Sequence, residues 1–344
     1  MAAPATDVVQ AEPPARENVP AFQRIMERLG PLWTLGVLIV LVIIFGILSP
    51  DLYTKAAWLS TSSYAVEYLI LAVGQTFVIV TAGIDLSDGA ILGFSAMAGA
   101  VLMNNMLTGH SSGTVASIAG IAVMIGTGTA IGVLNGLLIT RIKLPPFIVT
   151  LGTLTAVTGA TDLLNNGGEV TNLPPFIANL GNDSLLSGWL PYPVLIALVI
   201  ALIFGLILAR TRFGVRTYAI GSNEAGTRRS GIRVDRHLVI VYGISGFLAG
   251  IAGLMVTANF SSASSLAGAN DELYAIAAVV IGGASIFGGR GTIFGTVIGT
   301  AILSVLTTGL VLANIAPFWQ EVAIGGVVIA AVAVDRVRTK AGTD

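Results

Sequence analysis

Pro191–Ala209 reads PYPVLIALVIALIFGLILA, nineteen residues without a charge, and Arg210 and Arg212 follow at once. A helix rises about 1.5 Å per residue, so such a stretch crosses a hydrocarbon core about 30 Å thick. The rest of the chain has the same character. Its hydrophobic fraction is 54% and its charged fraction 10%, whereas soluble domains run at about 45–50% and about 25%. A soluble chain with so few charges could not cover its surface. The expectation is an all-α integral membrane protein of about ten transmembrane helices. The candidate spans are Leu32–Leu48, Ser62–Ala82, Gly89–Met106, Val115–Thr140, Pro146–Leu164, Pro191–Ala209, Leu238–Ala258, Leu273–Phe287, Thr292–Ala313 and Phe318–Val334.

Basic residues orient these spans, because cytoplasmic segments collect Lys and Arg. With both termini inside, 16 of the 17 basic residues fall on the inner side and Lys55 alone outside. The same partition puts Asp51, Glu169, Asp183, Asp271 and Glu272 on an acidic outer face. Residues 1–30, with Pro13, Pro14 and Pro20, are expected to be a disordered cytoplasmic tail, ending in a short surface helix near Ala21–Leu29. Residues 31–338 form the membrane domain, and 339–344 a second cytoplasmic tail. The stretch Leu32–Leu48 is long for a signal peptide and no A-x-A site follows it, so it reads as a retained span. The chain has no cysteine and two widely separated histidines. These argue against thiol chemistry, a metal site or a membrane enzyme.

Two stretches interrupt the apolar pattern. Gly83-Ile84-Asp85-Leu86-Ser87-Asp88-Gly89 places two carboxylates where charge is costly. Ser87 or Asp88 could cap the following helix. Alternatively, the break lines the substrate path or inner gate. Residues 282–291, GGASIFGGRG, form a second break. It is not a phosphate loop, since G-x-x-x-x-G-K-[ST] occurs nowhere in the chain. The phrases after the breaks, Gly89–Gly93 and Gly291–Gly295, are small-xxx-small patterns suited to tight packing. Gln75, Asp85, Ser87, Asn135 and Asn259 are the candidates for a gate or translocation path, with interhelical hydrogen bonding as the plainer alternative. Glu67 and Asp162 sit toward the outer ends of their spans. The inner stretch Arg210–His237 is the most basic in the chain. Its core, Asn223–Arg229, suits a short helix with Gly231 as the ending turn and Glu224 one turn before Arg228.

In order, GIDLSDGAILG, LPPFIVTLGTL, GVRTYAIGSNEAGTRRSGI and VVIGGASIFGGRGTIFGTVIG resemble the permease subunits of bacterial ABC importers for monosaccharides, of the ribose, xylose and galactose type. The resemblance covers roughly 32–338. It implies a multi-pass protein of the bacterial inner membrane that moves a monosaccharide or polyol into the cytoplasm. The partners it implies are a second permease copy as a homodimer, a cytoplasmic ATPase, a periplasmic or lipid-anchored binding protein, and membrane lipid, with no nucleic acid. ATP and magnesium would bind the ATPase, leaving no cofactor in this chain and no enzyme activity of its own. Gly221, Asn223, Glu224, Gly226, Arg228, Arg229, Ser230 and Gly231 match the loop by which such permeases dock to the ATPase. Asp88 stands where family members carry a small apolar residue, and Gly226–Arg229 where they carry Ala-Ala-Arg-Leu. An ion-coupled transporter and an ABC permease for a nucleoside or branched amino acid are the alternatives.

Overall fold

The computed structural model describes residues 31–340, and both the 1–30 tail and residues 341–344 lie outside them. The second expected tail begins within a helix, since residues 339 and 340 are still helical. In chain order the helices are α1 (Pro31–Leu48), α2 (Lys55–Val80), α3 (Asp88–Thr108), α4 (Gly113–Arg141), α5 (Pro146–Asn165), α6 (Pro175–Asn182), α7 (Tyr192–Arg210), α8 (Arg212–Ser222), α9 (Glu224–Arg229), α10 (Val234–Phe260), α11 (Asp271–Ile281), α12 (Ile293–Leu312) and α13 (Pro317–Lys340). A two-residue hairpin pairs β1 (Ser184–Leu185) with β2 (Leu190–Pro191). Among the described residues, α2, α3, α4, α5, α7, α10 and α12 are the seven helices long and apolar enough to cross a membrane. In α1 the apolar stretch is the shorter Thr34–Leu48.

The core is built on α2 and α10, whose middle turns are buried on every side: Ile70, Val73, Phe77 and Val78 in one, Leu248, Ala249 and Ala252 in the other. Lipid is as apolar as leucine, so such helices associate through close packing and polar bonds. Small residues provide the closeness. On α4, Gly128, Gly132 and Gly136 form one stripe against α10, and a Cβ on Gly132 would lie 2.3 Å from the Tyr242 carbonyl oxygen. The stripe on α10 is reciprocal, with a Cβ on Gly246 only 2.2 Å from the Gly128 oxygen.

Three expectations need correction. The span expected at Leu273–Phe287 is not one helix, because α11 stops at Ile281 after 11 residues. That is about 17 Å of rise, roughly half the hydrocarbon core. The chain then turns through Gly283, Gly288 and Gly289, all at positive φ, where a side chain is strained. Second, Arg210–His237 holds α8 as well as the short helix expected at Asn223–Arg229, between the end of α7 and the start of α10. Third, the expected outer loop 165–190 contains α6, and a Cβ on its Gly181 would lie 1.9 Å from the Ala258 oxygen of α10. Both breaks occur where expected, between Val80 and Asp88 and between Ile281 and Ile293.

The connections sort into two ends. At one, the Lys55 ammonium donates to the Ser187 oxygen (3.0 Å), the Trp58 indole to the Trp189 oxygen (2.7 Å), and Asn172 to Asn104 (2.9 Å). Val170 bridges Ala263 at the same end. At the other, the α2–α3 break, α8 and the 282–292 turn meet, which places the two breaks on one side as the sequence implied.

Candidate functional site

A helix that stops inside an apolar bundle leaves backbone groups without partners, and polar side chains must serve them. At the end of α2 the chain turns at Ala82, which takes a positive φ of 61°. Gln75, one and a half turns back, then donates through Nε2 to the Asp85 carbonyl oxygen (3.1 Å). The Asp85 carboxylate folds over the turn: its Oδ1 accepts from the Ser87 amide (3.0 Å) and hydroxyl (2.7 Å). Asn135 on α4 donates to the Ser87 hydroxyl (2.8 Å), and Thr153 on α5 donates to the Asn135 oxygen (2.6 Å). Gln75, Asp85, Ser87 and Asn135 are all fully buried. Four of the five candidate path residues are therefore one network joining α2, the break, α4 and α5.

Asn259 is not part of it. It lies at the far end of α10 beside Ser63, Glu67 and Gly181, 14 residues beyond Ser245 and so about 21 Å along the helix. The capping reading of Ser87 is not realised either, since its side chain caps nothing in α3 and serves Asp85 instead. Asp88 is the first residue of α3, and its carboxylate accepts from the adjacent Gly89 amide (2.9 Å). The Ser245 hydroxyl stands beside the Asp85 carboxylate. Around them, the second Asp88 oxygen, the Gln75 oxygen and the Tyr242 hydroxyl are buried and lack a hydrogen-bond partner among the described residues. Buried polar groups without partners are rare, and here they gather at one helix break.

The carboxylates Asp271 and Glu272 belong to this region and not to an acidic outer face. They are 8% and 7% exposed, and Glu272 Oε2 sits 2.3 Å from where a Cβ on Gly89 would be. Glu67 is likewise midway along the 26-residue α2 rather than near its end. Asp162 is exposed three residues before the end of α5, as expected. Sequence reading also missed Thr153. Its only sign was a threonine on a span one turn after Thr150.

The second candidate site is α8 with α9. Asn223 caps α9, its Oδ1 accepting from the Gly226 amide (2.8 Å). Gly231, at φ 84°, closes the helix end, and its amide donates to the Arg228 oxygen (3.1 Å). Glu224 pairs with Arg228 at 2.8 Å, the one-turn partnership expected, and Arg228 also bonds Asp235 at the start of α10. These two carboxylates, Asp235 first, push the guanidinium pKa further up. Arg228 is thus held within the chain, whereas Arg229 is exposed and carries no ion pair among the described residues. Thr227 ties α9 to α8 through the Ala219 oxygen (2.9 Å), and the Ser230 hydroxyl turns back to the Thr227 oxygen (2.8 Å).

From α8 the contacts reach both breaks. The Tyr218 hydroxyl donates to the Gly291 oxygen (2.7 Å). Gly221 abuts the end of α2, where a Cβ would lie 1.8 Å from the Val80 oxygen and 2.6 Å from the Gly289 nitrogen. The Gly289 amide in turn donates to the Val80 oxygen (2.9 Å). An exposed helix pair is therefore wedged directly against the two places where membrane helices stop.

Residues 58–332 match the family described as branched-chain amino acid transport system / permease component. A D-allose transport system permease protein of Escherichia coli K12 is 38% identical over 313 residues, which cover 89% of this chain and 92% of that one. A ribose import permease of Bacillus subtilis 168 is 40% identical over 92% of this chain and 94% of its own length. A galactose/methyl galactoside import permease of Salmonella typhimurium LT2 is 32% identical over 88% and 94%.

Proposed function

Since this chain belongs to the family of branched-chain amino acid transport system permease components, a family of multi-pass inner-membrane transport subunits that are not themselves enzymes, we propose that it conducts a monosaccharide or related polyol inward as part of an ATP-binding-cassette importer. The choice of a sugar over a branched amino acid or nucleoside draws on the relatives named for allose, ribose and galactose, each similar along nearly its whole length. The ATPase and the solute-binding protein are separate chains in this reading, and ATP and magnesium stay with the ATPase. The N-terminus, C-terminus and α8–α9 face the cytoplasm, in line with the distribution of basic residues.

One observation carries the proposal: the wedge of α8–α9 against both helix breaks. A permease without a nucleotide site must receive work by contact, and a movement of the exposed α9 would pass through the Thr227–Ala219 bond to α8, which touches Val80 and Gly291. This favours an ATP-driven cycle over the ion-coupled alternative. The test is reconstitution in proteoliposomes with the ATPase and binding protein encoded beside it. Uptake of at least one of D-ribose, D-allose or D-galactose should require ATP inside the vesicle. Uptake driven by a proton or sodium gradient without ATP would reverse the reading.

A further inference from the structure

We propose that the hollow between α3, α5 and the segment 264–270 is a hydroxyl-binding subsite for the travelling sugar, with the Glu272 carboxylate as its main acceptor. The assignment rests on the importer reading and adds to it a place within the chain where the solute is held.

Leaving α10, the chain takes a left-handed turn at Ser261 (φ 53°) and bridges Val170 through Ala263. It then descends along α3 instead of staying at the surface. Glycines admit it: a Cβ on Gly93 would lie 2.3 Å from the Ala267 oxygen, and one on Gly89 would lie 2.4 Å from the Gly268 oxygen. Asn270, at φ 69°, turns the chain into α11. This descent is what buries Asp271 and Glu272. It leaves a hollow of about 190 Å³ lined by Gly93, Thr158, Thr161, Ser265, Asn270 and Glu272, among others.

Three features point to a small polyol. The volume falls below the roughly 300–1,000 Å³ typical of pockets for drug-sized ligands. The lining mixes a carboxylate, an amide and hydroxyls, so it offers both acceptors and donors. Glu272 is more than nine-tenths buried and lines the hollow, yet no side chain among the described residues donates to it. Its own backbone amide is the donor that reaches it; a buried carboxylate so short of donors is costly, and neighbouring sugar hydroxyls would supply more. The Thr158 hydroxyl donates to the Leu154 oxygen (2.8 Å), which leaves its lone pairs free to accept.

The chain lacks cysteine, so Ser265→Cys creates one reactive thiol at the hollow. In the assembled transporter, its labelling by a small methanethiosulfonate reagent is timed with D-ribose, D-allose, D-galactose or, as a cationic control, choline. The expected result is that a transported sugar slows labelling severalfold and choline does not. Adding Glu272→Gln or Thr158→Val should weaken that protection about 3- to 10-fold, the value of one hydrogen bond. Size-exclusion chromatography confirms that each variant is folded. If Glu272→Gln does not fold, Thr158→Val decides. Sugar transport by the Ser265→Cys protein without protection overturns the subsite and leaves the importer reading standing. Protection by choline alone also overturns it, assigning the carboxylate to a cation. The absence of ATP-driven uptake by the unaltered chain is a different result and counts against the importer reading itself.

Discussion

Asn135 has the most demanding position in the polar network, because it must donate to Ser87 and accept from Thr153 at once. Replacing it with leucine, similar in size, leaves the half-buried Thr153 hydroxyl without its acceptor and the Ser87 hydroxyl with Asp85 alone. Each lost partner costs about 1–3 kcal/mol, so Asn135→Leu should lower the thermal midpoint of the purified protein measurably. Asp85→Asn differs, since its remaining oxygen can still accept from Ser87. It should keep the midpoint while lowering sugar uptake, with the binding protein's affinity for solute unchanged. Full uptake by Asp85→Asn would assign the carboxylate to structure alone. Polar residues such as Gln75, Asp85, Ser87 and Asn135 were legible in the sequence because each interrupts an apolar run. Thr153 and Glu272 were not. A threonine on a helix usually bonds its own preceding turn, as Thr155 does with the Leu151 oxygen. Glu272 follows Asp271 at a helix start, which reads equally well as an exposed end. Only the descent of 264–270 along α3, a tertiary event, distinguishes the two.

Helix ends were readable because glycine, proline and capping residues mark them chemically. Thr54, Ser112, Thr211, Asn223 and Thr292 each accept a backbone amide at a helix start. Hydropathy alone misjudged α11, since Leu273–Phe287 is apolar throughout and its interruption is a matter of backbone angle. The short helix α9 was legible in Asn223–Arg229, but the attachment of α8 to the breaks was not, because Tyr218 and Gly291 are 73 residues apart. That attachment can be tested. Tyr218→Phe keeps the ring and removes only the hydroxyl that reaches the Gly291 oxygen. If α8 transmits work through this contact, the assembled variant should hydrolyse ATP in response to loaded binding protein while taking up less sugar per ATP. Unchanged coupling would mean that the transmitted force passes through the Gly221–Val80 packing instead.

At the scale of the whole molecule, one surface differs from the rest. The outer face of α7 presents Leu198, Val199, Leu202, Ile203 and Leu206, which suits hydrocarbon. The exposed side of α5 presents Gly152, Thr155, Ala156, Gly159 and Asp162 between the large apolar Ile148, Leu151 and Leu163, and Cβ atoms added at Gly152 and Gly159 would meet nothing within 4 Å. Small residues three, four and seven apart let a second helix come close, and the same helix lines the hollow beside Glu272 through Thr158 and Thr161. In a homodimer of this chain, a path between the two copies would have its wall here, with α5 of each chain facing the other. The seven long apolar helices could be read from hydropathy, whereas a pairing between copies could not, because a lipid-facing glycine and a partner-facing glycine look alike in a sequence. A cysteine pair distinguishes them. A disulfide needs Cα atoms within about 4.4–6.8 Å, and the chain supplies no competing thiol. Oxidation of membranes carrying Thr155→Cys or Gly159→Cys should yield a dimer reducible by dithiothreitol. Leu202→Cys on α7, under the same oxidation, should remain monomeric. A dimer from Leu202→Cys with none from α5 would place the second copy on the opposite side of the bundle. The hollow at Glu272 would then open toward lipid.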